Sequence, residues 1–165
     1  MKRIIYHWTA SGHYPTDFEK NFYHFLIDKN GKIYEGKYKP EDNLDCTDGK
    51  YSAHTGGGNT GSIGIAFCGM ANFDYKIKQT KYPLTQKQCE AGWKLGSDLC
   101  KKYNLKPNAK TILTHYEFGQ QNPETTSKGK IDIIYLPYEP QLGILEVGSY
   151  IRRKVKWYYN RGTQK

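Results

Sequence analysis

The segment Ser62–Cys68 constrains the fold of this chain more than any other, because it is a nearly unbroken apolar run. A run of this kind is typical of a central strand that is buried on both faces of a sheet. Such a strand needs other layers of secondary structure above and below it. The sequence should therefore contain further strands and the helices that cover them.

Four other segments have the composition of strands, and two have the pattern of helices. Asn30-Gly31 separates two β-rich runs, which predicts a β-hairpin. Thr85 and Gln88 form a capping box before a stretch with apolar residues at helical spacing. The predicted strands are 2–7, 22–27, 32–35 and 111–115, and a C-terminal helix is predicted at about 145–159. We predict an α/β fold with a central mixed β-sheet flanked by helices, in which 37–61 and 116–129 are loops.

The chain is long enough for one domain with its own core. Its 165 residues predict a single domain over 1–165. The mean hydropathy is −0.82, and no apolar run approaches the roughly 20 residues of a membrane-spanning helix. The N-terminus leads directly into a short strand pattern, so we expect no secretory signal, a cytoplasmic location and no membrane insertion. We also expect a monomer.

The charge of the chain is strongly basic, with a net charge of +9 and a pI of about 9.3. This balance favours anionic partners such as nucleic acid, anionic lipid or an acidic polymer of the cell envelope. The densest cluster is RRKVKWYYNR at 152–161, which is also compatible with the solvated face of a helix. The sequence contains no phosphate-cradling loop and no aromatic RNA-binding motif, so we do not expect a nucleic-acid partner.

Two histidines each end a predicted strand, and a carboxylate follows later in the chain. They are His7, His115 and Asp132. In open α/β sheets, sites gather at the carboxyl ends of strands. Two imidazoles and one carboxylate are what a catalytic zinc ion needs, with its fourth position open for water. Either histidine alone is more often a solvated strand end, and Lys130, two residues before Asp132, is by itself a surface charge.

Five blocks in this order resemble the zinc-dependent N-acetylmuramoyl-L-alanine amidases, which are related to amidase-type phage lysozymes and to the peptidoglycan recognition proteins. The blocks are YHWTAS, FYHFLIDKNGKIYEG, SAHTGGGNTGSIGIAFCG, ILTH and KGKID. The resemblance extends from about residue 3 to about residue 136. It implies a mixed sheet with packed helices, in agreement with the pattern of elements.

The resemblance also implies roles for individual residues. The metal ligands of the family fall on His7, His115 and Asp132, and its active-site lysine falls on Lys130. The tyrosine that faces the metal-bound water in the phage enzymes falls on Tyr23. Because the three-ligand set is then complete, we interpret His54 as a substrate contact in the groove. We also predict that Asn59 binds an amide of the substrate.

The implied activity is zinc-dependent hydrolysis of the amide bond between N-acetylmuramic acid and L-alanine in peptidoglycan. A phage endolysin that reaches the wall after the membrane is permeabilised is the expected setting. Two alternatives stay open at this point. One is a module that binds peptidoglycan without cleaving it, and the other is a bacterial amidase that recycles wall fragments.

Overall fold

Five strands form one sheet in the computed structural model, which describes residues 1–162. The strands are β1 (Arg3–Trp8), β2 (Phe25–Ile27), β3 (Ile33–Glu35), β4 (Ser62–Phe67) and β5 (Ile112–Thr114). Their order is β3-β2-β4-β1-β5. The pairs β2–β4, β4–β1 and β1–β5 are parallel, and only β3 runs antiparallel, beside β2. The predicted mixed sheet in a single α/β domain is confirmed.

The central position of β4 follows from its composition. All six of its residues are buried, and β1 lies beside it with Ile4 opposite Ile63 and His7 opposite Ala66. Alternate residues of β1 point to opposite faces of the sheet. Tyr6 therefore points to one face, where its hydroxyl donates to the Gly92 carbonyl at 2.9 Å, and His7 points to the other.

Three α-helices accompany the sheet: α1 (Gln86–Lys102), α2 (His115–Gln121) and α3 (Ile144–Arg161). Helix α1 begins at the predicted capping box, in which the Thr85 hydroxyl accepts from the Gln88 N–H and the Gln88 side chain accepts from the Thr85 N–H, each at 3.1 Å. Trp93 of α1 is fully buried and packs edge-on against Tyr6 and Phe67. Helix α3 packs against α1, so these two helices cover the Tyr6 face.

The hairpin and the helices also show where the prediction was imprecise. Gly31 has a φ of +86°, the conformation that favours glycine, and the hairpin pairs Ile27 with Ile33. The strand predicted at 22–27 is shorter, because only 25–27 pair with β4. The predicted loop at 37–61 contains a 3-10 helix, Pro40–Leu44. The C-terminal helix extends over Ile144–Arg161, slightly beyond 145–159.

The segment 116–129 was wrongly predicted to be loop throughout, since α2 occupies its first part. Thr114 caps this helix: its hydroxyl accepts from the Glu117 N–H at 3.1 Å, and the Glu117 carboxylate accepts from the Thr114 N–H at 3.0 Å. The strand thus ends at Thr114, and His115 is the first residue of a helix rather than the last of a strand. Within residues 1–162, no helix is both long enough and apolar enough to cross a bilayer.

Candidate metal centre

The register of the sheet brings two distant histidines together. Strands β1 and β5 are parallel neighbours, with Tyr6 opposite Thr114. His7 directly follows Tyr6 and His115 directly follows Thr114, so both histidines lie at the carboxyl edge of the sheet. Their Nδ1 atoms lie 3.2 Å apart, and the exposed fractions of the two residues are 0% and 5%.

Asp132 completes a triad with these histidines. Its Oδ2 atom lies 3.2 Å from His7 Nδ1 and 3.3 Å from His115 Nδ1. Three ligand atoms at about 2.0–2.1 Å from a tetrahedral zinc ion are separated from one another by roughly 3.3–3.4 Å. The triad therefore has the spacing and the donor types of a three-ligand zinc site, and the three residues fit this ion.

The chain after α2 holds the carboxylate in place. The Tyr116 N–H donates to the Asp132 carbonyl at 3.4 Å, and Ile133 adopts a φ of +63°. Burial alone would raise the pKa of Asp132, but the adjacent His115 and His7 rings outweigh it and hold that pKa below its ordinary value. The carboxylate is therefore ionised at neutral pH, as a metal ligand must be.

The neighbours of His115 fix which of its nitrogens is free for a metal. The Ser127 hydroxyl donates to the Gly56 carbonyl at 2.8 Å, so its oxygen is left to accept a hydrogen bond. His115 Nε2 lies 3.0 Å from that oxygen and is the donor. With the proton on Nε2, the Nδ1 atom presents its lone pair to His7 and Asp132. An outer partner that fixes the tautomer in this way is a general feature of metal-binding histidines.

His54 plays the corresponding part for His7. Its Nε2 lies 3.2 Å from the Ser62 carbonyl, which can only accept, so Nε2 carries the proton and Nδ1 is an acceptor. His7 Nε2 lies 3.1 Å from that Nδ1. When His7 Nδ1 binds a metal, its Nε2–H therefore donates to His54, with the Thr55 hydroxyl beside both rings.

Burial keeps the imidazoles of His7, His54 and His24 neutral. It lowers the pKa of His7 to about 4, an effect that the hydrogen bond to Asp132 only partly offsets. Burial, followed by the neighbouring His7 and His24, lowers the pKa of His54 well below its ordinary value. His24 is also buried and neutral, and it bridges the Gly64 N–H and the Asn43 side chain, each at 2.9 Å.

Sequence reasoning missed this supporting role of His54. The residue was predicted to contact substrate, and its ring does border the cleft above the triad. Both of its nitrogens, however, already bond within the protein. A Cβ atom on Gly64 would lie 2.6 Å from the His54 ring, so only glycine leaves room for the ring there. The substrate contact stays a prediction, and the hydrogen bonds to His7 and Ser62 are the observed contacts.

His115 and Asp132 line a cleft of about 390 Å³, and His7, which is fully buried, contacts both of them. Tyr23 and Lys130 both line this cleft, and their catalytic roles stay predictions. The Tyr23 ring lies 5.3 Å from the His7 ring. Burial, and then the negative charge of Asp132, raise the pKa of the Tyr23 hydroxyl above its ordinary value. Lys130 is exposed on the wall of the cleft.

Asn59 is not among the residues that line this cleft. Its side-chain oxygen accepts from the Thr55 N–H at 2.8 Å, and it borders a separate depression beside Lys2 and Arg3. Asn59 therefore holds the loop that carries His54, and its predicted substrate contact is untested. The nearby glycines also serve packing, since a Cβ atom on Gly56 would lie 1.8 Å from the Thr126 hydroxyl oxygen.

Solved structures with the same fold include a hydrolase and an endolysin amidase. Staphylococcus aureus hydrolase AmiA in complex with its ligand matches with a TM-score of 0.63 and 16% identity, over 98% of this chain and 75% of AmiA. The endolysin N-acetylmuramoyl-L-alanine amidase LysCS from Clostridium intestinale matches with a TM-score of 0.52 and 22% identity, over 84% of this chain and 78% of LysCS. At these identities the likeness concerns the fold. A comparison with curated proteins gave no match.

The family itself is shown by sequence. The profile of the family described as N-acetylmuramoyl-L-alanine amidase matches residues 1–130. The match contains His7 and His115 and ends two residues before Asp132, so the third member of the triad rests on the geometry described above. Because the match covers most of its 165 residues, the chain belongs to the N-acetylmuramoyl-L-alanine amidase family.

Proposed function

We propose that this protein is a zinc-dependent hydrolase of peptidoglycan that cleaves the amide bond between N-acetylmuramic acid and L-alanine. The observation that carries the proposal is the convergence of His7 Nδ1, His115 Nδ1 and Asp132 Oδ2 within 3.2–3.3 Å, beside an open cleft that His115 and Asp132 line. Family membership supplies the bond to be cleaved.

The roles of the residues follow from their positions and charges. A zinc ion held by the triad would supply Lewis acidity and, at its open position, a water with a pKa of about 7. Lys130 would place a cation beside the carbonyl oxygen of the scissile amide, where negative charge develops. The raised pKa of Tyr23 keeps its hydroxyl protonated at neutral pH, so Tyr23 would donate a hydrogen bond to the reacting groups.

Proton transfer in this cleft would involve few candidates. None of the residues that line it is a glutamate. The Asp132 oxygen that does not face the histidines and the Tyr23 hydroxyl are the groups that would accept or pass on a proton. The presence of Asp132 as the third ligand also favours a hydrolase over a module that only binds peptidoglycan, because it completes the ligand set that zinc-dependent hydrolysis requires.

The test is digestion of purified peptidoglycan by the metal-free and the zinc-loaded protein, with the products identified by mass spectrometry. We expect intact stem peptides with free L-alanine amines, only when zinc is present. A protein with both Lys130→Ala and Tyr23→Phe is the control for contaminating hydrolases. Binding to the wall without cleavage, with zinc bound, would contradict the proposal and indicate a recognition module.

We further propose that the enzyme acts in lysis as a phage endolysin, held in the cytoplasm until the membrane is permeabilised. The alternative of wall recycling uses the same chemistry on small soluble fragments. Turnover of intact sacculi and of soluble muropeptides, measured side by side, separates the two. Faster turnover of soluble fragments would favour recycling, and lysis of cells only when a pore-forming protein is co-expressed would support the endolysin role.

A further inference from the structure

A second feature of the molecule is a concentration of positive charge away from the cleft. Residues 100–116 contain four lysines, residues 147–161 contain five lysines or arginines, and neither segment contains an aspartate or a glutamate. The net charge of the chain is +9. A charge as large as that of the whole chain is thus carried by two short segments.

The fold brings these two segments together. Lys106 and Lys156 border one shallow groove of about 350 Å³, with Pro107 and Tyr159 as its apolar walls. The Lys101 ammonium lies 5.8 Å from the Tyr159 ring centroid. We call this surface the basal patch; we assign to it the groove lysines Lys106 and Lys156, Lys101 and Arg161 beside them, and, as neighbours in sequence, Lys102 and Lys110, all of them exposed.

The cations of the basal patch form no salt bridges within residues 1–162. Arg152 and Lys154, on the same helix, pair with Glu117 and Glu90 at 2.9 and 2.6 Å. The Glu41 carboxylate, which accepts a hydrogen bond from the Tyr103 hydroxyl, is near enough to interact with one patch cation, Lys102.

Helix dipoles explain only part of this arrangement. Lys101, Lys102 and Arg161 are in the last turns of α1 and α3, where a cation is favourable. Lys106 and Lys110 lie in the connection before β5 and cap no helix. In the part of the chain that the structure describes, Lys106, Lys110 and Lys156 have no ion-pair partner, and the mutual repulsion of the patch cations costs stability unless an anion binds there.

The basal patch faces away from the metal centre. Lys106 and Lys110 precede β5, so they lie at the amino ends of the parallel strands. His7 and His115 stand at the carboxyl ends of β1 and β5. A partner bound to the patch thus leaves the cleft free.

We propose that the basal patch binds a flexible polymer of sugar or polyol units joined by phosphodiesters, as carried by a cell wall. The inference that this polymer is part of the wall rests on the proposed function. The groove lined by Lys106 and Lys156 has apolar walls and the volume for one small polyol or sugar unit, and its two lysines would bind the flanking phosphates.

Nucleic acid fits the patch less well. The Arg161 guanidinium covers the Trp157 ring at 4.0 Å, so this ring is not a free platform for base stacking. The patch cations come from the ends of α1 and α3, from Lys156 within α3 and from the connection before β5, rather than from one helix that could enter a major groove.

The test compares two triple variants of the full chain with equal net charge. The patch variant carries Lys106→Glu, Lys110→Glu and Lys156→Glu. The control variant carries Lys37→Glu, Lys50→Glu and Lys87→Glu, which are exposed lysines outside the patch and outside the cleft. Each reversal changes the charge by two, so both variants go from +9 to +3.

Affinity for labelled poly(glycerol phosphate) is measured by fluorescence anisotropy at several salt concentrations. We expect the patch variant to bind at least about tenfold more weakly than the control variant, with the slope of log affinity against log salt smaller by about two. If reversal to glutamate disturbs folding, as judged by circular dichroism, the same three lysines changed to glutamine give a smaller loss in the same direction.

Three outcomes would overturn the proposal: no binding of the polymer by the wild type, equal losses in both variants, or tighter binding of duplex DNA at equal phosphate concentration. Release of stem peptides from a soluble muropeptide is measured on the same proteins and should be equal in wild type and both variants. Absence of that release in all three would refute the proposed function but leave the polymer measurement interpretable.

Discussion

Replacing His54 with phenylalanine tests the support of the metal site, because the ring shape is kept and both nitrogens are removed. The His7 Nε2–H then loses its acceptor at 3.1 Å, and the Ser62 carbonyl loses its donor at 3.2 Å. Loss of an outer partner of a ligand typically lowers metal affinity by about 10–100-fold, or roughly 1.4–2.7 kcal/mol. Leaving buried polar groups unpaired should also destabilise the metal-free protein by about 1–3 kcal/mol.

Zinc affinity is measured by competition with a chromophoric chelator, and stability by urea unfolding of the metal-free protein. His54→Asn is the matched control, since its side-chain oxygen can accept from His7 near the position of Nδ1 and should recover part of the affinity. Nitrogen NMR of the imidazoles adds a direct check, because His7 should carry its proton on Nε2 in the zinc-loaded protein. Unchanged zinc affinity in His54→Phe would refute the reasoning.

Four further predictions concern the triad, the cleft and acid pH. Asp132→Ala should lower zinc affinity by roughly two powers of ten or more, if the binding free energy of a four-ligand zinc site, about 10–16 kcal/mol, is shared equally among its ligands. Unchanged zinc content by metal analysis would exclude Asp132 as a ligand. Lys130→Ala should retain zinc yet lose about 2.7–4 kcal/mol of barrier lowering, and a wild-type rate on soluble muropeptide would refute its role. Tyr23→Phe should retain both fold and zinc with reduced turnover, so an unchanged turnover number would leave the hydroxyl without a function. In the metal-free protein, burial lowers the pKa values of His7 and His24 to about 4, whereas both titrate near 6.5 when unfolded. The unfolded chain therefore binds more protons between pH 6.5 and 4, and stability should fall across this window by up to about 3 kcal/mol for each histidine, while a flat urea-unfolding profile there would contradict their burial in the neutral form.

Local patterns predicted most of the secondary structure, since each signal acts over a few residues. The apolar run 62–68 identified the central strand, and Thr85 with Gln88 identified the start of α1. The same capping signal was present at Thr114 and Glu117 and was overlooked, because the polar residues after it resemble a loop. Reading that signal would have shown His115 at the start of a helix.

The metal centre was predictable only in part, because its members are far apart in sequence. His7 and Asp132 are separated by 125 positions yet lie 3.2 Å apart. The parallel register of β1 and β5 places His115 beside His7, and the turn at Ile133 then brings Asp132 to both histidines. The role of His54 has no local signal, since it depends on an irregular loop placed beside His7 by Asn59 and by packing against Gly64. The family resemblance supplied the ligands but not the residues that hold them.

The most direct test of the account is a crystal structure of the zinc-loaded protein, with diffraction data collected on both sides of the zinc absorption edge. The account predicts one strong anomalous peak within about 2.0–2.2 Å of His7 Nδ1, His115 Nδ1 and Asp132 Oδ2. A peak at other residues, or no peak at this triad in saturating zinc, would contradict it.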